Sequence, residues 1–208
     1  MSFFNNNNNE NVPGIIRGNP LSGLTEKVCI KAQKVFDACM KQASAENISV
    51  VFRKPCPNTY TAPLTFVSCK SVTSKGIISD LSVEPLEKNY GRVKAEVGIP
   101  LEVIYRDAHN IEGKAEGMMY LNQDVVLCLP EPAMIPYEIE AAVGCVCPQG
   151  THASNLTFIL TACTTVILKV VTEVELLVPS YGYCFIPQCQ DYSEDVCSGF
   201  FELPIFPK

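Results

Sequence analysis

Histidine is almost missing from this 208-residue chain: His109 and His152 are the only two. That scarcity bears on every reading in which a side chain must move protons near neutral pH or hold a metal through imidazole. The sequence also lacks the C-x-x-C knuckle of structural zinc sites, a glycine-rich phosphate loop, a nucleophile elbow and an H-E-x-x-H helix. Lysine and arginine are scattered rather than blocked. With a net charge of -6 and a pI near 5.0, the chain has no basic footprint for nucleic acid or an anionic membrane. Carboxylates are spread along polar strand faces, where they protect edges and keep surfaces solvated, so no paired-carboxylate site is expected. The opening MSFFNNNNNENVPG has no basic n-region, no apolar core and no small-residue cleavage site, so it does not read as a secretory signal.

No hydrophobic run is long and charge-free enough for a bilayer helix. The nearest, LTFILTACTTVILKVVTEVELLV (156–178), carries Lys169, Glu173 and Glu175, each costly inside hydrocarbon. Its even positions Phe158, Leu160, Ala162, Val166, Leu168, Val170, Val174, Leu176 and Val178 form one apolar face, which is a strand period. At about 3.3 Å per residue it is too long for one ordinary strand and is expected to bend or be interrupted.

The remaining chain reads as strand after strand without a βαβ rhythm. In GRVKAEVGIPLEVIYRD the odd positions from Val93 to Tyr105 are apolar and the even ones carry Lys94, Glu96, Glu102 and Arg106, with a bend or bulge expected at Gly98-Ile99-Pro100. Further strands are expected at 48–53, 64–70, 76–83, 118–130 and 136–148, with a proline-marked loop at 53–63 and a hairpin connection at 108–117. Residues 24–42 fit both a helical stripe and an alternating strand; the reading adopted is a strand running into a short helix or turn. The fold class is therefore mainly β: an antiparallel β-sandwich or partly open barrel. Residues 1–20 read as a flexible, Asn-rich arm, 21–180 as the β-rich domain with a sub-domain break near 85–90, and 181–208 as a tail rich in cysteine and aromatics.

Against these absences stand eleven cysteines, an odd number that is high for a reduced cytosolic protein of a size needing no disulfides for stability. Three chemistries compete for them. A zinc site would have to be assembled from distant positions, because Cys145-x-Cys147 is too tight for a knuckle and Cys184-x₄-Cys189 has no matching pair. A thiol nucleophile would need His109 or His152 as its base, and both sit in turn-like contexts that read as solvent-exposed loops. The third chemistry is cross-linking, within a chain or between chains. Cys145 and Cys147 lie an even number apart on a strand, so both point to one face and each can reach a different partner. The cross-link set is Cys29, Cys39, Cys56, Cys69, Cys145, Cys147, Cys184, Cys189 and Cys197, while Cys128 and Cys163, inside apolar strands, read as buried thiols. No catalytic residue, cofactor or metal ligand is assigned.

The block GRVKAEVGIPLEVIYRD, VLCLPEP, YEIEAAVGCVCP and LTFILTACTTVILKVVTEVELLVP resembles the SPOCS domain associated with spore coats of spore-forming Firmicutes, over roughly residues 25–180. The opening EKVCIKAQKVFDACMKQ is similar to the start of small Cys-rich clostridial spore-surface proteins. This resemblance rests on strand patterns. It implies a non-enzymatic structural subunit of coat or exosporium, or of a spore appendage, made in the mother-cell cytoplasm without a signal peptide and oxidised as that cell lyses. Its partners would be itself, as a homo-oligomeric lattice or filament, and other coat or exosporium proteins. The alternatives are a soluble adaptor for a coat morphogenetic protein and a metal-binding or thiol-dependent enzyme.

Overall fold

The computed structural model describes residues 18–184. Its elements are seven strands: β1 (Glu26–Cys56), β2 (Thr65–Ser71), β3 (Ile77–Pro85), β4 (Tyr90–Arg106), β5 (Glu112–Cys128), β6 (Glu138–Ser154) and β7 (Thr157–Ser180). All assigned pairings are antiparallel, and no helix occurs among the described residues. The mainly β, antiparallel class expected from alternation is the class found. The strand order is β2-β6-β7-β1-β5-β4-β3, and β2 also pairs with β4, so six strands close into a ring of hydrogen bonding.

The described residues divide into two units, one of residues 33–173 and one of residues 18–32 and 174–184. The larger unit is organised by the β4–β5 hairpin. Each of its 17 positions in β4 has a partner in β5, from Tyr90↔Cys128 to Arg106↔Glu112, with no register shift. The bulge expected at Gly98-Ile99-Pro100 is therefore absent from this ladder. What happens there instead is a change of partner on the other edge of β4, where β3 reaches Gly98 and β2 begins at Leu101. Val72 N–H donates to Pro100 O at 3.1 Å between the two. Residues 85–90 form the turn of the β3–β4 hairpin, closed by Leu86 N–H to Tyr90 O at 2.7 Å.

Alternation sets the core. Val93, Val97, Ile99, Leu101, Val103 and Tyr105 of β4 face inward with Phe158, Leu160, Ala162, Val166, Leu168 and Val170 of β7. Each large side chain so buried contributes about 1.5–3 kcal/mol relative to exposure. Phe52, Phe66, Tyr105 and His152 gather round Phe158, with Phe52 edge-on at 5.9 Å. Two of these rings lie on glycines directly across a ladder: a Cβ at Gly117 would come within 2.7 Å of Phe52, and one at Gly113 within 2.7 Å of Tyr105. Ring and glycine fill the space together, as aromatic side chains do over bare strand backbone.

Two expectations are corrected here. Residues 24–42 contain neither helix nor turn beyond Thr25; they belong to β1, which runs without interruption to Cys56. The reason is tertiary: β7 lies beside β1, with Thr164 Oγ1 donating to Ala43 O at 3.1 Å and Gln42 Nε2 to Thr165 Oγ1 at 3.4 Å, while Asp37 accepts Cys128 N–H at 2.6 Å. Likewise β7 is a single strand, so of the expected bend or interruption the interruption does not occur. The irregularity predicted for it falls on its partner, where β6 carries an extra residue between Val146 and Gln149 and another between His152 and Ser154. Pro148, with no N–H to give the ladder, sits at the first of these.

In the smaller unit, described over residues 18–32 and 174–184, Thr25 N–H donates to Ser180 O at 3.0 Å and the Tyr181 hydroxyl to Pro20 O. At Gly23, with φ +85°, a Cβ would lie 3.6 Å from the Tyr181 ring.

One buried side-chain polar atom has no hydrogen-bond partner among the described residues: the Tyr105 hydroxyl. Burial, then the neighbouring Tyr60 and Asp107, push its pKa up, so it stays a neutral phenol. An unsatisfied buried hydroxyl costs about 1–3 kcal/mol. Tyr105→Phe is therefore expected to leave stability unchanged or raise it by about 1 kcal/mol; a loss of more than that on chemical denaturation would show that the hydroxyl is satisfied in solution.

Candidate functional site

The cysteines sort by strand face. Cys145 and Cys147 of β6 point inward as their even spacing requires, and β2 sets Cys69 directly opposite Cys147. All three are almost fully buried, at 2–3 % exposure. Cys145 Sγ lies 3.8 Å from Cys147 Sγ, and Cys69 stands across the ladder from Cys147. Interaction with Cys147 and burial raise the pKa of Cys69 and of Cys145, whereas interaction with Cys145 and Cys69 lowers that of Cys147. The three thiols interact closely enough to titrate as one coupled group. The Cys145 N–H is held by Ser71 Oγ at 3.1 Å.

This placement alters the sequence assignment. Cys69, Cys145 and Cys147 were expected among the cross-links, between subunits or within a chain; their thiols face the core and are closed to another chain, which leaves only the intrachain alternative to them. Cys163 was expected to be buried and is exposed, because it occupies an odd position of β7 whose even positions face inward. Cys128 is half-buried at the end of β5 rather than fully enclosed. Cys39 is half-buried against the core, and burial raises its thiol pKa. Cys29, Cys56 and Cys184 are exposed. All nine described cysteines are thiols; Cys189 and Cys197 lie outside the described residues.

His109 lies in the β4–β5 turn and is exposed, as read from sequence. His152 is not a loop residue: it belongs to β6 and is half-buried against Phe158, with ring centroids 5.5 Å apart. Its Nδ1 accepts the Leu64 N–H at 3.5 Å and its Nε2 donates to Asn155 O at 2.8 Å, which fixes one tautomer. With both nitrogens engaged, the ring holds the β6–β7 turn and the loop before β2 in place, and offers no lone pair to a thiol.

Sequence reasoning overlooked Asp107. Its carboxylate accepts N–H bonds from Ile111 and His109 at 2.9 Å each and from Thr61 at 3.3 Å. The Ile111 bond, then those from Thr61 and His109, hold its pKa below the usual carboxylate value in spite of burial. An Asp two residues before a turn amide is a legible signal. The contact to Thr61, 46 residues away, is not. Among the described residues, no group of three or more His, Cys, Asp or Glu is arranged to hold a metal ion, and no helix is long and apolar enough to cross a membrane.

Two measurements check this site. In the reduced native protein, a short pulse of maleimide should label Cys29, Cys56, Cys163 and Cys184, while Cys69, Cys145 and Cys147 react roughly 10²-fold or more slowly until denaturant is added. Equal labelling of the trio would refute its burial. Because the Asp107 pKa is depressed on folding, its contribution is fully present above the unfolded value of about 3.9 and disappears as pH falls through the lower folded value. Asp107→Asn should therefore lower Tm at pH 7, with the gap to the parent protein closing toward pH 2; a gap independent of pH would rule out the charge as its cause. Compared with known protein families, with curated proteins and with solved structures, the chain matches none.

Proposed function

We propose that this chain is a structural subunit, without catalytic function, that self-assembles into a bacterial spore-surface layer or appendage and is locked there by disulfides between subunits. The observation that carries this reading is the outward set of thiols. Cys29, Cys56, Cys163 and Cys184 are all exposed, in a chain whose size and core need no disulfide for stability. The resemblance of its strand pattern to spore-coat domains supplies the setting, and oxidation at mother-cell lysis supplies the moment.

Non-covalent contacts that bring such thiols together are available at the sheet edge. β3 ends the strand order, with Ile77 and Leu81 exposed along it. Strand addition at an edge gives directional contact, and a head-to-tail contact of that kind extends rather than closes. A bond between subunits then makes dissociation depend on reductant instead of dilution.

After air oxidation, a heated denaturing gel should show a ladder that collapses with reductant to the 22.8 kDa monomer. Changing Cys29, Cys56, Cys163, Cys184, Cys189 and Cys197 to Ser should abolish the ladder, and C145S/C147S should leave it intact. Monomer in both lanes for the parent chain would refute covalent assembly. Antibody labelling of intact spores tests the location, and absence of label from surface and extracted coat would refute it.

A further inference from the structure

The ring of strands closes where β2 meets β6, and this seam is sparsely paired. Only Cys69↔Cys147 and Lys70↔Val146 face each other there as ladder partners. Beyond them the Cys145 N–H turns to the Ser71 side chain, and backbone contact resumes with Val143 N–H to Ser74 O at 2.8 Å and the isolated bridge Lys75↔Ala142. By contrast, the β4–β5 ladder is continuous.

Two of the three interior thiols therefore stand opposite each other across the seam. Directly opposed residues of an antiparallel pair have Cα atoms about 4.5–5.5 Å apart, inside the range of about 4.4–6.8 Å that a disulfide spans. Cys145 also approaches Cys147, at 3.8 Å between sulfurs. It sits two residues along the same strand, however, where a rise of about 3.3 Å per residue puts the Cα atoms near the upper limit of that range. Cys163, next to this group in β7, faces outward.

We propose that Cys69 and Cys147 form an internal disulfide that staples β2 to β6 and closes the ring, leaving Cys145 as a thiol beside it. The oxidant is a low-molecular-weight disulfide, RSSR, acting while the seam is open during folding. Cys147, as thiolate, attacks one sulfur of RSSR, forming a mixed disulfide and releasing RS⁻, which takes up the proton lost by Cys147. Cys69 then attacks Cys147 Sγ, expelling the second RS⁻, which leaves as RSH with the proton from Cys69. Two protein thiols are oxidised, one RSSR is reduced, and two RSH are produced.

The bond cross-links a loop of about 80 residues containing β3, β4 and β5, and so constrains a large part of the unfolded chain. This staple is independent of cross-linking between subunits: it uses thiols that another chain cannot reach, and it forms in dilute monomer.

The test is to refold the full chain at high dilution in a glutathione redox buffer, block free thiols with an alkylating agent, and map disulfides by mass spectrometry without reduction. The expected result is a linked peptide pair carrying Cys69 and Cys147, with Cys145 alkylated after unfolding. The oxidised monomer should melt on the order of 10 °C above the reduced one. C69S and C147S should each remove that difference, and C145S should keep it. Alkylated Cys69 and Cys147 in the refolded parent chain, or a Cys145–Cys147 link, would overturn the assignment. The map is read on the parent chain, so a variant that fails to fold does not obscure it. Failure of the gel ladder would leave the map unaffected.

Discussion

The unbroken β4–β5 ladder is the interaction on which the rest of this structure depends. Seventeen consecutive residues of β4 pair in one register, and the strands around them accommodate to that hairpin through local irregularities. β1 shifts register between Arg53 and Cys56, β2 between Phe66 and Ser68, and β3 between Ser79 and Ser82. Each shift adds a residue to the strand that leans on the hairpin, never to β4 or β5. Bulges increase local twist and bend their own strand, so curvature is imported by the neighbours while the central pair stays regular. The two glycines under Phe52 and Tyr105 lie in β5, where removing a side chain lets an aromatic ring approach the backbone without disturbing the register.

Face parity then distributes the chemistry. A strand residue gains or loses access to solvent by moving one position, so thiols on adjacent strands can have opposite fates. Val146 pairs with Cys163 and both face out; Cys145, one residue earlier, faces in with Cys147. The outcome is an interior set of three sulfurs at a seam and a peripheral set on strand surfaces and ends. These sets differ in reactivity because they differ in desolvation and in access, not because of any difference in intrinsic thiol chemistry.

Much of this was legible in the sequence, and the residues show why. The odd positions of 93–105 and the even positions of 158–170 are buried as their alternation requires, and the shared face of Cys145 and Cys147 follows from spacing alone. The same parity rule places Cys163 outside; composition, its setting in an apolar run, pointed the wrong way and parity was the better guide. Positions decided by distant partners were not legible. Residues 26–42 became strand because β7 lies beside them, His152 lost its freedom to Leu64 and Asn155, and Cys69 met Cys147 only through ring closure. None of these contacts leaves a trace in local periodicity. The alternation of β7 also ceases to mean burial after Val171, where Val174, Leu176 and Val178 continue the pattern but stay at least partly exposed.

The edge strand β3 carries a feature with a wider bearing. Asp80, at φ +49°, and Leu81 occupy the point where β3 steps out of register with β4. An added strand that followed the first half of β3 would find the amides and carbonyls of the second half out of phase, and a carboxylate at the joint. Cross-β stacking, which requires a long flat template, would stall after three or four residues on either side. The kink thus acts as a length gauge on the exposed edge: short, reversible pairing is tolerated, and indefinite templated growth of sheet on sheet is not.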